Sequence, residues 1–131
     1  MFSTCSHGIS ISPNSRELAV VDASHKAVQF WDVHGVTSGL APAHLATVAV
    51  AGLTGEESPC AYDCGRSGWV QHSYDGRYVF VGDSGDVIES ATHKVIAHLS
   101  TLENSRESIE VDSLAGNPVA TTGRTGVGRT G

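Results

Sequence analysis

Seven histidines and three cysteines are the side chains of this 131-residue chain with the widest chemical repertoire. None of the histidines (7, 25, 34, 44, 72, 93 and 98) stands in a short-spaced ligand motif such as His-Glu-x-x-His, which would put two imidazoles on one helix face. His25, His34, His44 and His93 fall in turns or connectors, where a solvated imidazole is expected. His7 and His72 are the candidate ligand-binding histidines, because each lies in the first strand of a strand–turn–strand unit. The competing reading for both is a strand histidine bonded to neighbouring backbone.

Cys60 and Cys64 bracket Ala61-Tyr62-Asp63 and are the candidate disulfide, closing a small loop in an oxidising compartment with Cys5 left over. Unpaired thiols are the alternative, and zinc is a third. A structural zinc site takes four ligands, usually as two close pairs, whereas here one pair has only His72 nearby in sequence. No metal site is assigned. Asp83, Asp86 and Glu89 surround Ser84-Gly85 without completing a calcium-loop pattern. Serine, histidine and aspartate are all present, but no Gly-x-Ser-x-Gly elbow exposes a nucleophile, so no catalytic residue is assigned.

The elements that must position these residues are strands. From Gly68 to Asp86 the chain reads GWVQHSYDGRYVFVGDSGD: Asp75-Gly76 supplies the positive-φ tolerance of a tight turn, and alternating apolar residues flank it. An imperfect copy, HGISISPNSRELAVVDAS, lies 61 positions upstream and sets Ser12 on Ser73, Asn14 on Asp75, Arg16 on Arg77 and Asp22 on Asp83. Asp22, Asp83, Asp75 and Gly76 therefore read as structural turn residues. Trp69 and Tyr74, beside the cysteine-bearing loop, are candidate ligand-binding aromatics. Further strands are expected over 27–33, 44–50, 86–90, 94–99, 107–112 and 118–122, and no segment has a sustained helical period.

Composition narrows the partners. A formal charge of −6 with only eight Lys and Arg and no basic run excludes an electrostatic nucleic-acid footprint. No apolar run approaches the roughly 20 residues of a membrane-spanning helix. The opening MFSTCSHGIS shows neither the basic nor the hydrophobic region of a secretory leader.

Over roughly residues 7–112 both units resemble repeats of the bacterial YVTN-type β-propeller family: HGISISPNSRELAVVDAS with FWDV, then GWVQHSYDGRYVFVGDSGDVIES with ATHKVIAHL. The first copy departs from the pattern with Asn14-Ser15 for Asp-Gly, the second with Glu89-Ser90 for Asp-Thr. Trp31-Asp32 is also similar to the dipeptide of WD repeats, but His7-Gly8 reverses the usual Gly-His, so the bacterial type ranks first. The resemblance implies an all-β fold with about two and a half four-stranded antiparallel blades. The partial propeller would span 1–122 (blade 7–51, loop 52–67, blade 68–100, start of a third unit 101–122), with a flexible tail at 123–131.

A closed propeller takes at least four blades. The expectation is thus a fragment of a longer protein, exported to the periplasm or beyond in its full-length form, or a chain that completes a ring by self-association. The implied function is a non-catalytic scaffold for a protein or small ligand, with no cofactor. The alternatives are a propeller subunit of a quinoprotein or haem-linked redox enzyme, in which His7 and His72 face the central channel, and a metal-binding module built on the cysteine loop.

Overall fold

Alternation of apolar and polar residues between Gly- and Asx-containing turns favours short antiparallel strands, because each strand can bury one face and hand the chain to its neighbour through a tight reversal. The computed structural model describes residues 8–55, 68–105 and 109–122. Ile9–Ile11 (β1), Glu17–Asp22 (β2), Ala27–Asp32 (β3) and Ala43–Ala49 (β4) form one four-stranded sheet, ordered β1-β2-β3-β4. Trp69–His72 (β5), Tyr78–Gly82 (β6), Asp86–Glu89 (β7) and Lys94–His98 (β8) form a second, ordered β5-β6-β7-β8. Glu110–Leu114 (β9) and Asn117–Thr122 (β10) make a two-stranded hairpin. All pairings are antiparallel, and among the described residues the only helical turns are short 3-10 segments.

The sequence repeat is a structural repeat. In the first sheet Ile9 pairs with Val20, and in the second Val70 pairs with Val81, each 61 positions on. The turns match atom for atom. Ser12 Oγ donates to Asn14 Oδ1 (2.8 Å) and Ser73 Oγ to Asp75 Oδ1 (2.7 Å), while the backbone N–H of Arg16 and of Arg77 donates to the same Asx oxygen at 3.0 Å. The serine oxygens also accept from the first residue of the returning strand, Glu17 N–H (2.9 Å) and Tyr78 N–H (3.0 Å). Short side chains thereby replace the ladder bonds that the turn interrupts. Asn14-Ser15 serves as well as Asp75-Gly76 because Ser15 takes the positive φ of 58° itself, where Gly76 has 73°.

The two sheets stack face to face. Ala19, Val21, Val28, Phe30 and Val48 from the first meet Val70, Val79, Val81 and Ile88 from the second in one apolar cluster, with Leu53 of the connector added. The backbones come close at the start of β1, where a Cβ on Gly8 would stand 2.7 Å from Trp69 Cα, so only glycine fits. Trp69 extends the packing on the far face of the second sheet, where its indole N–H donates to the Ser105 carbonyl.

Candidate functional site

A polar cluster lies between the stacked sheets. Strand alternation puts Ser10 on β1 and Glu17 on β2 on the face turned to the second sheet, and His72, the last residue of β5, on the face turned back. The His72 side chain is 2% exposed. Ser10 Oγ accepts from the His72 backbone N–H at 3.0 Å and lies 3.0 Å from Nδ1. The hydroxyl proton is thus available to Nδ1, which leaves Nε2 to carry the ring hydrogen and donate it to Glu17 Oε1 at 3.3 Å. The other carboxylate oxygen, Oε2, is 2.7 Å from His93 Nε2.

His93 comes from the β7–β8 turn, at a positive φ of 51°. Its ring centroid is 4.6 Å from that of Phe30, a buried residue of the opposite sheet. Its side chain is only 20% exposed, so it departs from the solvated imidazole expected of a turn. The turn is local, but the sheet it approaches is 76 residues away from it in sequence at Glu17. One carboxylate thus ties together two imidazoles of the second sheet. Burial, the largest influence on the Glu17 carboxyl, pushes its pKa up, but the hydrogen bonds and charges of His72 and His93 together hold it below the ordinary glutamate value.

Ser10, His72 and Glu17 have the connectivity of a hydrolase triad, held inside the packing of the two sheets. Ser10 is 4% exposed, its oxygen already accepts a backbone N–H, and it sits between the two packed sheets. Both ring nitrogens of His72 are likewise engaged, which leaves neither open towards a ligand iron or substrate. What this arrangement does is lock two sheets in register.

The remaining sequence candidates are distributed. Asp22 is buried and closes the 3-10 turn Ala23–His25, accepting from Ser24 Oγ (2.8 Å), His25 N–H (3.3 Å) and Gln29 Nε2 (3.2 Å). Asp83, its counterpart in sequence, does a different job: it adopts a positive φ of 63° and its Oδ2 accepts from Gly68 N–H at 3.1 Å, tying the start of β5 to the end of β6. Asp75 and Gly76 form the turn described above. Trp69 is 2% exposed within the packing, and the Tyr74 backbone N–H donates to Glu110 Oε2 of the third hairpin at 2.7 Å. His7, Cys5, Cys60, Cys64 and the 123–131 tail lie outside the described residues.

A second network, at the connector between the sheets, joins Asp86 and Ser84, which the sequence placed only in an incomplete calcium loop, to His98 and Glu103. Asp86 Oδ2 accepts from Ala51 N–H and Ser84 Oγ, and its Oδ1 is 3.1 Å from His98 Nδ1, while His98 Nε2 is 2.8 Å from Glu103 Oε1. The Asp86 hydrogen bond, followed by that of Glu103, holds His98 above its ordinary pKa. Ser10, Glu17, His93 and Glu103 had no local signal. Among the described residues no group of three or more His, Cys, Asp or Glu side chains is arranged to hold a metal ion.

Neither a protein-family model nor a curated protein matches the chain. The fold and the inter-sheet lock define its class: an all-β protein built from repeated four-stranded antiparallel meanders stacked face to face.

Proposed function

We propose that the chain is a β-propeller-type repeat segment that works as a non-catalytic binding scaffold. One observation carries this reading. Val70, His72, Val79, Val81 and Ile88 present the face of the second sheet that the first sheet covers, and each is at most 4% exposed. Their counterparts by repeat and pairing are Ile9, Ile11, Leu18, Val20 and Trp31, on the opposite face of the first sheet. There Ile9 is 61% exposed and the other four are partly exposed. A surface whose twin is an internal interface has the shape and polarity to be covered by another sheet of the same kind.

The occupant is a further module of the same kind, and for this chain by itself a second copy takes that place. The engaged nitrogens of His72 favour this reading over a redox subunit. Sedimentation velocity over a hundredfold range of concentration is the test. The expected result is reversible association by the wild-type chain, reduced by Ile9→Lys at unchanged far-UV circular dichroism. A single monomer boundary at every concentration contradicts the reading.

A further inference from the structure

Glu17 also lines a cleft of about 510 Å³ between the two modules, within the size range of small-ligand sites. Its walls are the β1–β2 turn, the β5–β6 turn and the start of the β7–β8 turn, with Asp32 at the end of β3 and Leu45 of β4. Three carboxylates face it, and each already has an internal partner: Glu17 holds His72 and His93, Asp32 accepts the backbone N–H (3.0 Å) and approaches Nδ1 (2.6 Å) of His34, and Glu89 accepts Thr92 Oγ1 at 2.7 Å. The donors on the same walls are in the opposite state. Arg16 and Arg77, at equivalent positions of the two turns, form no ion pair within 4 Å among the described residues: Arg16 acts on Asp32 and Arg77 on Asp75 only through longer-range charge attraction, and Arg77 lies 5.4 Å from the Tyr78 ring centroid. The Ser90 hydroxyl oxygen is shielded from solvent and has no hydrogen-bond partner among the described residues.

We infer that this inter-module cleft is a binding site for a small multivalent oxyanion, a phosphate or polycarboxylate group, held between Arg16 and Arg77 and reached by the Ser90 hydroxyl. The unused hydrogen-bonding capacity of the cleft is donor capacity. Two guanidiniums, one from each module, match the fork geometry that carboxylate and phosphate oxygens accept. The Asx oxygens of Asn14 and Asp75 bind the arginine backbone N–H groups, so the base of each side chain is fixed before any ligand arrives. Ser90 supplies a hydroxyl whose burial without a partner costs stability that a ligand oxygen would restore. The site is complete within the two described modules and does not depend on whether the open face of the first sheet is covered.

The test is calorimetric titration of the full chain with inorganic phosphate and, separately, with citrate, at matched ionic strength because screening weakens exposed charge pairs. Saturable binding of either probe is expected, reduced about tenfold or more by Arg16→Gln and by Arg77→Gln, and several-fold by Ser90→Ala. Lys26→Gln, an exposed cation away from the cleft, leaves it unchanged. Saturation by phosphate alone assigns a phosphoryl ligand, and by citrate alone a carboxylate ligand. Both arginines are exposed, so the variants keep the fold, checked by circular dichroism. Absence of saturable binding by either probe overturns the inference, as does binding that survives either arginine substitution.

Discussion

Replacing Glu17 by Gln keeps the volume of the side chain and removes the charge that bonds His72 and His93 across the apolar contact of the two sheets. The glutamine amide has one oxygen, whereas the carboxylate serves His72 Nε2 and His93 Nε2 with an oxygen each. One imidazole therefore loses its acceptor and faces an NH₂ group instead. A hydrogen bond to a charged group contributes about 1.5–3 kcal/mol, and a buried donor left unmatched costs about 1–3 kcal/mol. The expected loss for Glu17→Gln at pH 7 is accordingly about 1–3 kcal/mol, read by urea unfolding, or a fall in Tm of roughly 3–12 °C for a domain of this size. The pH dependence is the sharper readout. The folded pKa of Glu17 lies below the ordinary glutamate value of 4.5, so the stabilisation is present above 4.5 and is lost as pH falls through the folded pKa. The gap between wild type and variant should therefore close in acid. A gap below about 0.5 kcal/mol at pH 7, or one that does not shrink as the pH is taken progressively below 4.5, refutes the lock.

Three other outcomes follow from named contacts. A Cβ at position 82 would fall 1.7 Å from Trp69 Nε1, so Gly82→Ala must displace the indole; a loss of about 1–3 kcal/mol with red-shifted tryptophan emission is expected, and unchanged emission contradicts the packing. His98 titrates above 6.5 because Asp86 and then Glu103 favour its charged form, so its contribution to stability is present below the unfolded value and lost as pH rises through the folded one. An NMR titration of Glu103→Gln should move the His98 midpoint down, and an unmoved midpoint sinks the pairing. Burial is the largest influence on Asp22 and raises its pKa, but hydrogen bonds from His25, Ser24 and Gln29 outweigh it and hold the group at about 2 against an ordinary 3.8. Asp22→Asn should remove the part of acid unfolding that occurs as pH falls from 3.8 towards 2, which fluorescence-monitored unfolding checks.

What the sequence disclosed and what it hid divide along one physical line. Strands and turns are local: Ser-x-Asx-x-Arg carries its own hydrogen bonds within five residues, so both hairpins and their 61-residue offset were legible. The inter-sheet lock is not local. His72 stood out as a strand histidine, but its partners Ser10 and Glu17 are 62 and 55 residues away, and nothing in the pattern selects one serine or one glutamate from many. His93 read as a solvated turn residue because turn chemistry is silent about which sheet the turn touches. Asp22 and Asp83 align in sequence yet differ in structure, because the β6–β7 connection is tighter than the β2–β3 connection and forces Asp83 into a left-handed backbone.

The chain holds two tryptophans, one on each kind of surface: Trp69 is buried in the packing, and Trp31 lies partly exposed on the open face of the first sheet. Acrylamide quenching of the wild type and of Trp69→Phe and Trp31→Phe, measured from dilute to concentrated protein, therefore reports directly on whether that face is a surface made to be covered. The scaffold reading predicts that Trp69 stays protected throughout while Trp31 is quenched in dilute solution and becomes shielded as concentration rises. Quenching of Trp31 that is the same at every concentration contradicts it.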